Sequence, residues 1–408
     1  MGIVLRGETM AKFVSRVPAA LAAAVLGIAA VVGLAGPAAA AAPVADRLTG
    51  VACLSAKNCV AVGADQNKPA PLAEVWNGAA WHKTAVSLPV KGSIGTLDSV
   101  ACPAVKFGVH CVAVGGFLVA TESAFSLIAT WNGKAWTSKQ APGPVGTRLA
   151  AVSCPTVNDC VAVGDFVSNP NAGISVPFSV VWNGHSWSRV KIPAPAGGGF
   201  SNLFGVSCGS ATFCVAVGQD SPAKGNPRVL IERWNGHAWS IMKAPPLGTF
   251  NDPIPESVSC PSAKSCLLVG SGTTAKGLAV FAEAWNGAVW SVTSAVPWPK
   301  GTKNPWLNGV SCAAPGRCVA DGYVNFNPID GGTTGRAAAA TWNGKAWKVT
   351  AVAAPAKGKA SQFNGVYCIP EKATFCAAVG ILSPFNSLNG VGLSGFFNGT
   401  TWKLVAAV

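Results

Sequence analysis

Short apolar runs separated by polar turns fill the chain from residue 47 onward, and their order repeats. One unit reads VSCPTVNDCVAVG at 152–164, with close copies GVSCGSATFCVAVG at 205–218 and SVSCPSAKSCLLVG at 257–270. An apolar run ending at a Cys, a short polar turn and a second apolar run ending in Gly predict a β-hairpin. A second phrase follows in each unit: WNGAAW at 76–81, WNGKAW at 131–136, WNGHSW at 182–187, WNGHAW at 234–239, WNGAVW at 285–290, WNGKAW at 342–347 and FNGTTW at 397–402. Asn and Gly both tolerate positive φ, and the flanking aromatic residues can pair across strands, so this phrase predicts a second hairpin. Each unit therefore predicts four strands, A to D, in an up-and-down meander. Strand B (CVAVG) is apolar at nearly every position, as a strand covered on both faces must be.

Cysteine spacing fixes the number of units. The fourteen Cys fall into seven close pairs: Cys53 with Cys59, Cys102 with Cys111, Cys154 with Cys160, Cys208 with Cys214, Cys260 with Cys266, Cys312 with Cys318 and Cys368 with Cys376. An even count at repeated spacing in an exported chain reads as a disulfide framework. Residues facing each other in an antiparallel pair lie about 4.5–5.5 Å apart at Cα, a span that a disulfide accepts. Closing so short a loop contributes about 2 kcal/mol per bridge in the chain-entropy model. Zinc fits less well, because a structural site takes four ligands and each unit offers two. Of the fifteen Trp, all but Trp298 and Trp306 belong to the second phrase, so they are structural first.

Four-stranded sheets repeated seven times, with no helix to cover them, predict an all-β, seven-bladed β-propeller over residues 43–408. It has antiparallel blades and one disulfide within each. The repeats start near residues 47, 97, 149, 203, 255, 307 and 363. A β-solenoid is the competing architecture, but its coils are usually shorter. The last blade ends on its own strand D, so no terminal strand is borrowed to close the ring.

Ahead of the repeats, basic Arg6, Lys12 and Arg16 precede an apolar stretch from Val17 to Gly36 and small residues from Pro37 to Pro43. This is the layout of a secretory signal peptide over residues 1–42, with cleavage near Ala41 or Ala42. Met10 opens a second complete leader. The competing reading is a retained anchor, since about 18 apolar residues span a bilayer. No Cys precedes Cys53, which excludes a lipoprotein signal. After cleavage no membrane span is expected, and the mature protein is expected to be secreted and monomeric.

The formal charge of +14 favours anionic partners: an acidic glycan, a wall polymer or a surface protein. Charged residues are only 11% of the chain and form no basic stripe, which argues against nucleic acid. The four His sit in or beside the stereotyped turns, so they suggest neither a metal site nor a triad, and no cofactor is expected.

The order of an apolar strand, a turn, a strand ending in Val-Gly and then a turn closed by Trp resembles the Asp-box (BNR) propellers. That group includes sialidases, sortilin-type receptors and photosystem assembly factors. In it an Asp-Gly-rich box ending in Trp joins the third and fourth strands; W-N-G-x-x-W stands in the equivalent place, with Asn for Asp. The paired Cys depart from the group's usual pattern. Kelch and WD repeats fit less well, because their double-Gly and Trp-Asp signatures are missing. The resemblance implies a propeller, and it raises the expectation of either a binding scaffold or a glycan-cleaving enzyme.

In such a meander the A–B and C–D turns share one face, and the more variable B–C and D–A connections share the other. Loops on a rigid scaffold usually carry binding, so the variable face is the expected site. There Asp65, Asp165 and Asp220 follow strand B and could ring the axis, although Asp is also an ordinary turn residue. Asp321 replaces the Val of other repeats, putting a carboxylate in the blade for a ligand or a neighbouring Arg. Trp298 and Trp306 are expected in the loop between the fifth and sixth blades, as exposed rings for sugars or protein. Tyr323, Phe326 and Arg336 are expected in or beside the next B–C loop.

Sialidase chemistry needs an Arg triad and a Tyr activated by Glu. Only Tyr323 and Tyr367 are available, and KIPAP at 191–195 has Lys where the Arg-Ile-Pro signature has Arg. Tyr367 precedes Cys368 where other repeats have Ser or Ala, which marks it as a blade residue. The expectation is therefore an exported, non-catalytic binding propeller. The alternatives are a hydrolase or lyase on the same scaffold, and a membrane-tethered assembly factor if the leader is retained.

Overall fold

The computed structural model describes residues 46–66, 70–104, 110–169, 174–325, 335–353, 359–370, 375–384 and 390–406. The expected leader, Phe326 and part of the B–C loops lie outside them. The described residues form seven four-stranded antiparallel sheets, each built from four consecutive strands in the order A-B-C-D. The seven A strands are Asp46–Ser55, Ile94–Ala101, Thr147–Ser153, Gly199–Ser210, Phe250–Ser262, Trp306–Ala314 and Lys359–Cys368. Neighbouring A strands touch one another around a ring that closes between the seventh and the first. This makes A the innermost strand and D the outer edge of every blade. The result is a seven-bladed propeller with no strand shared between the two ends of the chain. Among the described residues no helix is long and apolar enough to cross a membrane.

The core lies between blades rather than within them. Each of seven clusters joins one blade to the next, for example Val163, Leu203, Ala216 and Trp234 between the third and fourth. Every B strand is buried on both faces, which accounts for its continuous apolar sequence. Full burial of one such Val or Leu stabilises by about 1.5–3 kcal/mol.

All seven Cys pairs form disulfides within their own blades, and no Cys is free. Cys53 joins Cys59, Cys102 joins Cys111, Cys154 joins Cys160, Cys208 joins Cys214, Cys260 joins Cys266, Cys312 joins Cys318 and Cys368 joins Cys376. Their Cα atoms are 3.9–4.1 Å apart, closer than ordinary facing residues, at the tight end of the hairpin beside its turn. The second Cys of each pair is buried in the cores between blades, so the bridges act as staples and present no sulfur to a ligand on the variable face. This holds for Cys59, Cys111, Cys266, Cys318 and Cys376, as for Cys160 and Cys214. So many bridges fit an oxidising compartment outside the cytosol.

The Val-Gly ending strand B has a steric origin. In every A strand one residue bulges out of register, namely Thr49, Asp98, Ala150, Phe204, Glu256, Asn308 and Asn364. The bulge drives the strand A backbone toward strand B. A Cβ on Gly63, Gly115, Gly164, Gly218, Gly270, Gly322 or Gly380 would overlap a carbonyl oxygen of that strand. Only Gly fits.

Asn-Gly behaves differently from a two-residue turn. Only the Gly has positive φ, between 90° and 97° in the seven copies. The two aromatic residues pair directly and enclose a four-residue loop. The Asn side chain organises that loop: Asn77 Oδ1 accepts from the N–H groups of Ala79 and Ala80, both at 2.9 Å, and the other six Asn repeat the pattern. The first Trp of the phrase ties this loop to the disulfide turn, as Trp76 Nε1 donates to Ala56 O at 3.2 Å and Trp285 Nε1 to Ala263 O at 3.1 Å. Both stereotyped turns therefore share one face.

Blades are also hooked to one another by the Ser that precedes the first Cys. The N–H of Cys208, Cys260, Cys312 and Cys368 donates to Ser153, Ser207, Ser259 and Ser311 Oγ of the preceding blade, at 2.8–3.0 Å. Tyr367 takes this Ser position at the seam between the seventh and first blades, packing against the core there and against the core between the first and second blades.

Candidate functional site

Five of the seven strand A bulge residues are polar, and several of them reach across to the next blade. Three bulge residues clasp the next blade: Thr49 Oγ1 donates to Leu97 O at 2.8 Å, Asn308 Nδ2 to Phe363 O at 2.6 Å, and Asn364 Nδ2 to Leu48 O at 2.7 Å. Asp98 instead takes the guanidinium of Arg148 from the third blade, at 2.8 Å. Arg148 also stands opposite Asp165 in register. Burial pushes the Asp165 carboxyl up to about 6, against the pull of Arg148. Asp165 is thus part of a joint between blades.

On the other side of the channel, Trp306 and Tyr323 are cross-strand partners in the sixth blade. Their rings are parallel to within 3°, with centroids 6.5 Å apart. Both residues are half-buried and lie in strands, where loops were expected. The reason is pairing: strands A and B extend past Leu307 and Gly322 toward the variable face. Burial, with help from Glu256 of the fifth blade, raises the Tyr323 phenol well above its ordinary value, and Arg47 of the first blade opposes this. Three blades therefore converge electrostatically on Tyr323. Amides complete the rim, with Gln362 Nε2 donating to Asn364 Oδ1 at 2.9 Å and Ser175 Oγ to Asn202 Oδ1 at 2.5 Å.

The remaining candidates scatter. Asp220 accepts from Ser201 Oγ at 2.8 Å and Arg228 Nε at 2.7 Å, so it fastens strands within the fourth blade. Asp65 faces Asp46 in register at the edge of the first blade. With one Asp in a joint, one in an ion pair and one at a blade edge, they do not form an axial ring. Trp298 is half-buried against the core between the fifth and sixth blades, not an open ring, and its Nε1 lacks a partner. Arg336 opens strand C of the sixth blade and is exposed.

Asp321 is fully buried and pairs with no Arg. Its carboxylate lies where a Gly309 Cβ would fall, and burial pushes it up to about 8 against the pull of the Asp321 and Gly309 backbone N–H groups. Those two N–H groups exert a favourable field without a well-formed hydrogen bond, so burial prevails.

Three further buried acids escape a motif search. Glu74, Glu232 and Glu283 each precede the first Trp of the phrase by two residues, are wholly buried and have no hydrogen-bond partner on either carboxylate oxygen. Burial pushes them up to about 7, 8 and 8. Their signal in the sequence is a single acid in an otherwise apolar strand C, at a position where the other repeats carry Ala, Val or Gly. The equivalent residues of other blades, Ala129, Val180 and Ala340, pack in the cores between blades.

A cleft of about 260 Å³ opens on the opposite face, between the third and fourth blades, beside Asp159, Trp182, Trp234 and His237. It is slightly under the usual size of a small-molecule pocket.

No family model matches the chain, and no curated protein matches it either. Among solved structures it is similar to "YCF48 bound to D1 peptide" (11% identity, covering 84% of this chain and 92% of that one, TM-score 0.47). It is similar to the β-propeller domain of the Trilobed protease from Pyrococcus furiosus (10% identity, 89% and 97% covered, TM-score 0.48). It is also similar to a polysaccharide lyase of family PL25, an ulvan lyase (8% identity, 75% and 82% covered, TM-score 0.44).

Proposed function

We propose that this protein is an exported, non-catalytic binding propeller that takes a cell-surface glycan, wall polymer or surface protein at the variable-face mouth of its channel. The observation that carries this reading is the parallel Trp306–Tyr323 pair, set among amides on a rim held by hydrogen bonds between blades. Flat rings with nearby amides suit the faces and hydroxyls of sugars. Export is supported by the leader pattern and by the seven disulfides.

One observation favours a second reading, a glycan-cleaving hydrolase or lyase: Tyr323 lies within the electrostatic reach of Glu256 and Arg47. The raised phenol speaks against it, since a nucleophilic or basic Tyr must ionise readily. The test is a glycan and wall-fraction binding screen of the full chain beside Trp306→Ala, Tyr323→Phe and Trp298→Ala, with bound material assayed for cleavage. Loss of binding in Trp306→Ala but not in Trp298→Ala is expected. Unchanged binding in Trp306→Ala would remove the mouth from the site, and turnover abolished by Tyr323→Phe would move the protein to the second reading.

A further inference from the structure

Positive and negative charges occupy different places in this molecule. Among the described residues, seven acidic side chains are buried: Asp46, Glu74, Asp165, Asp220, Glu232, Glu283 and Asp321. Most cations stay outside, with Arg47 and Arg148 among the partly buried exceptions. On the face formed by the stereotyped turns, Lys57, Lys134, Lys264, Arg317 and Lys345 are all exposed. In the third and fourth blades the exposed residues at the same position of the C–D turn are His185 and His237. Among the described residues of these turns the single acid is Asp159, whose carboxylate accepts from Thr156 Oγ1 at 2.6 Å.

Lysines on outer strands also guard sheet edges against pairing with another molecule. That explanation covers Lys139, Lys348 and Lys403 on strands D, but not the turn residues, which lie on no edge. The backbones that carry these charges are also held in place, the C–D loops of Lys134 and Lys345 by their Asn and the A–B turns of Lys57, Lys264 and Arg317 by their disulfides. Fixed like charges raise the local potential and favour an extended partner of opposite charge. A membrane surface fits less well: among the described residues of these turns the one large apolar side chain exposed is Val289, too little to insert among lipids.

We propose that the turn face is a second binding surface, for an acidic cell-surface polysaccharide carrying carboxylate or phosphate groups along its chain. It shares with the proposed function only the export of the chain, and it lies on the opposite face from Trp306. The polymer runs across several blades and meets the Lys and Arg side chains of the first, second, fifth and sixth, mostly through solvent-screened contacts.

The experiment compares retention of the full chain on immobilised alginate, a uronate polymer, and on neutral dextran across a salt gradient. Two charge-reversed variants with the same net charge are run beside it. Lys264→Glu/Arg317→Glu/Lys345→Glu alters the turn face, and Lys224→Glu/Lys276→Glu/Lys303→Glu alters exposed residues of the variable face. Native-like thermal melts of both variants establish that they fold. Salt-sensitive retention on alginate alone is expected, weakened about tenfold by the first variant and little by the second. Equal weakening by both would reduce the effect to net charge and overturn the proposal. So would no retention on alginate, or capture by anionic lipid vesicles in its place. Because Trp306→Ala leaves this surface intact, its effect on glycan binding is read separately.

Discussion

Trp81 donates its indole N–H to Ser394 Oγ, 3.0 Å away, across the seam where the seventh blade meets the first. The same tie recurs where Trp136 reaches Thr84, Trp347 reaches Thr293 and Trp402 reaches Thr350, each in the preceding blade. The second Trp of the phrase is therefore a bolt between blades, while the first binds its own disulfide turn. Replacing Ser394 by Ala strands a buried donor and is expected to destabilise by about 1–2 kcal/mol in urea titration. Trp239 and Trp290 make no such bond. In Ser394→Ala, the further change Trp81→Phe is expected to cost less than Trp81→Phe costs alone; equal costs would refute the bolt.

Asp321 occupies a site that Val fills in the other blades, with no partner for its carboxylate. Asp321→Val is expected to raise stability by about 1–3 kcal/mol at neutral pH, because it removes an uncompensated buried polar group. Differential scanning calorimetry measures the gain. A lower melting temperature for Asp321→Val would show that the carboxyl has a partner after all.

Stability should fall as the pH rises. Glu232 and Glu283 hold their protons up to about 8 when folded, against an ordinary value of 4.5. Between these values the folded state binds more protons than the unfolded state, so ΔG of unfolding declines with pH. The contribution is full below 4.5 and lost through about 8. Melting temperatures recorded from pH 5 to 9 are expected to drop, and Glu232→Gln/Glu283→Gln to flatten the curve. An unchanged slope in that variant would exclude these two residues as its cause.

In the fifth-blade W-N-G-x-x-W loop the carbonyl oxygen of Asn286 accepts from two backbone N–H groups. Asn286→Ala is expected to cost about 1 kcal/mol, whereas Asn286→Asp, which keeps the acceptor, is expected to be nearly neutral. Urea titration of both variants separates this role from a need for positive φ at Asn, which would penalise them equally.

Gly322 lies against the carbonyl oxygen of Trp306. Gly322→Ala forces strand A away from strand B, and a loss of about 2–3 kcal/mol is expected in the same titration. It should also disturb the Trp306–Tyr323 pair, visible in near-ultraviolet circular dichroism.

The cysteine and tryptophan phrases made the fold legible, because each blade meets the same covalent and packing demands with the same residues. The candidate site was less legible, since side-chain chemistry at one blade depends on its neighbours in the ring. Trp306 and Tyr323 lie near Pro305 and a Gly-rich stretch, which read as loop, yet cross-strand pairing draws both into strands. Asp220 and Asp165 read as turn residues, but their meaning depends on Arg228 eight residues onward and on Arg148 in a separate strand. Glu283 stands in plain view within FAEAW at 281–285, but a motif search does not ask where an apolar strand tolerates an acid.

Each sheet is assembled from four strands that follow one another in the chain. Cutting the backbone in any connection from strand D to the next strand A, and rejoining the old ends with a linker, would leave every hydrogen-bonded ladder whole and every disulfide local. The ring accordingly has no privileged first blade, and its chain ends could be relocated without unravelling a sheet.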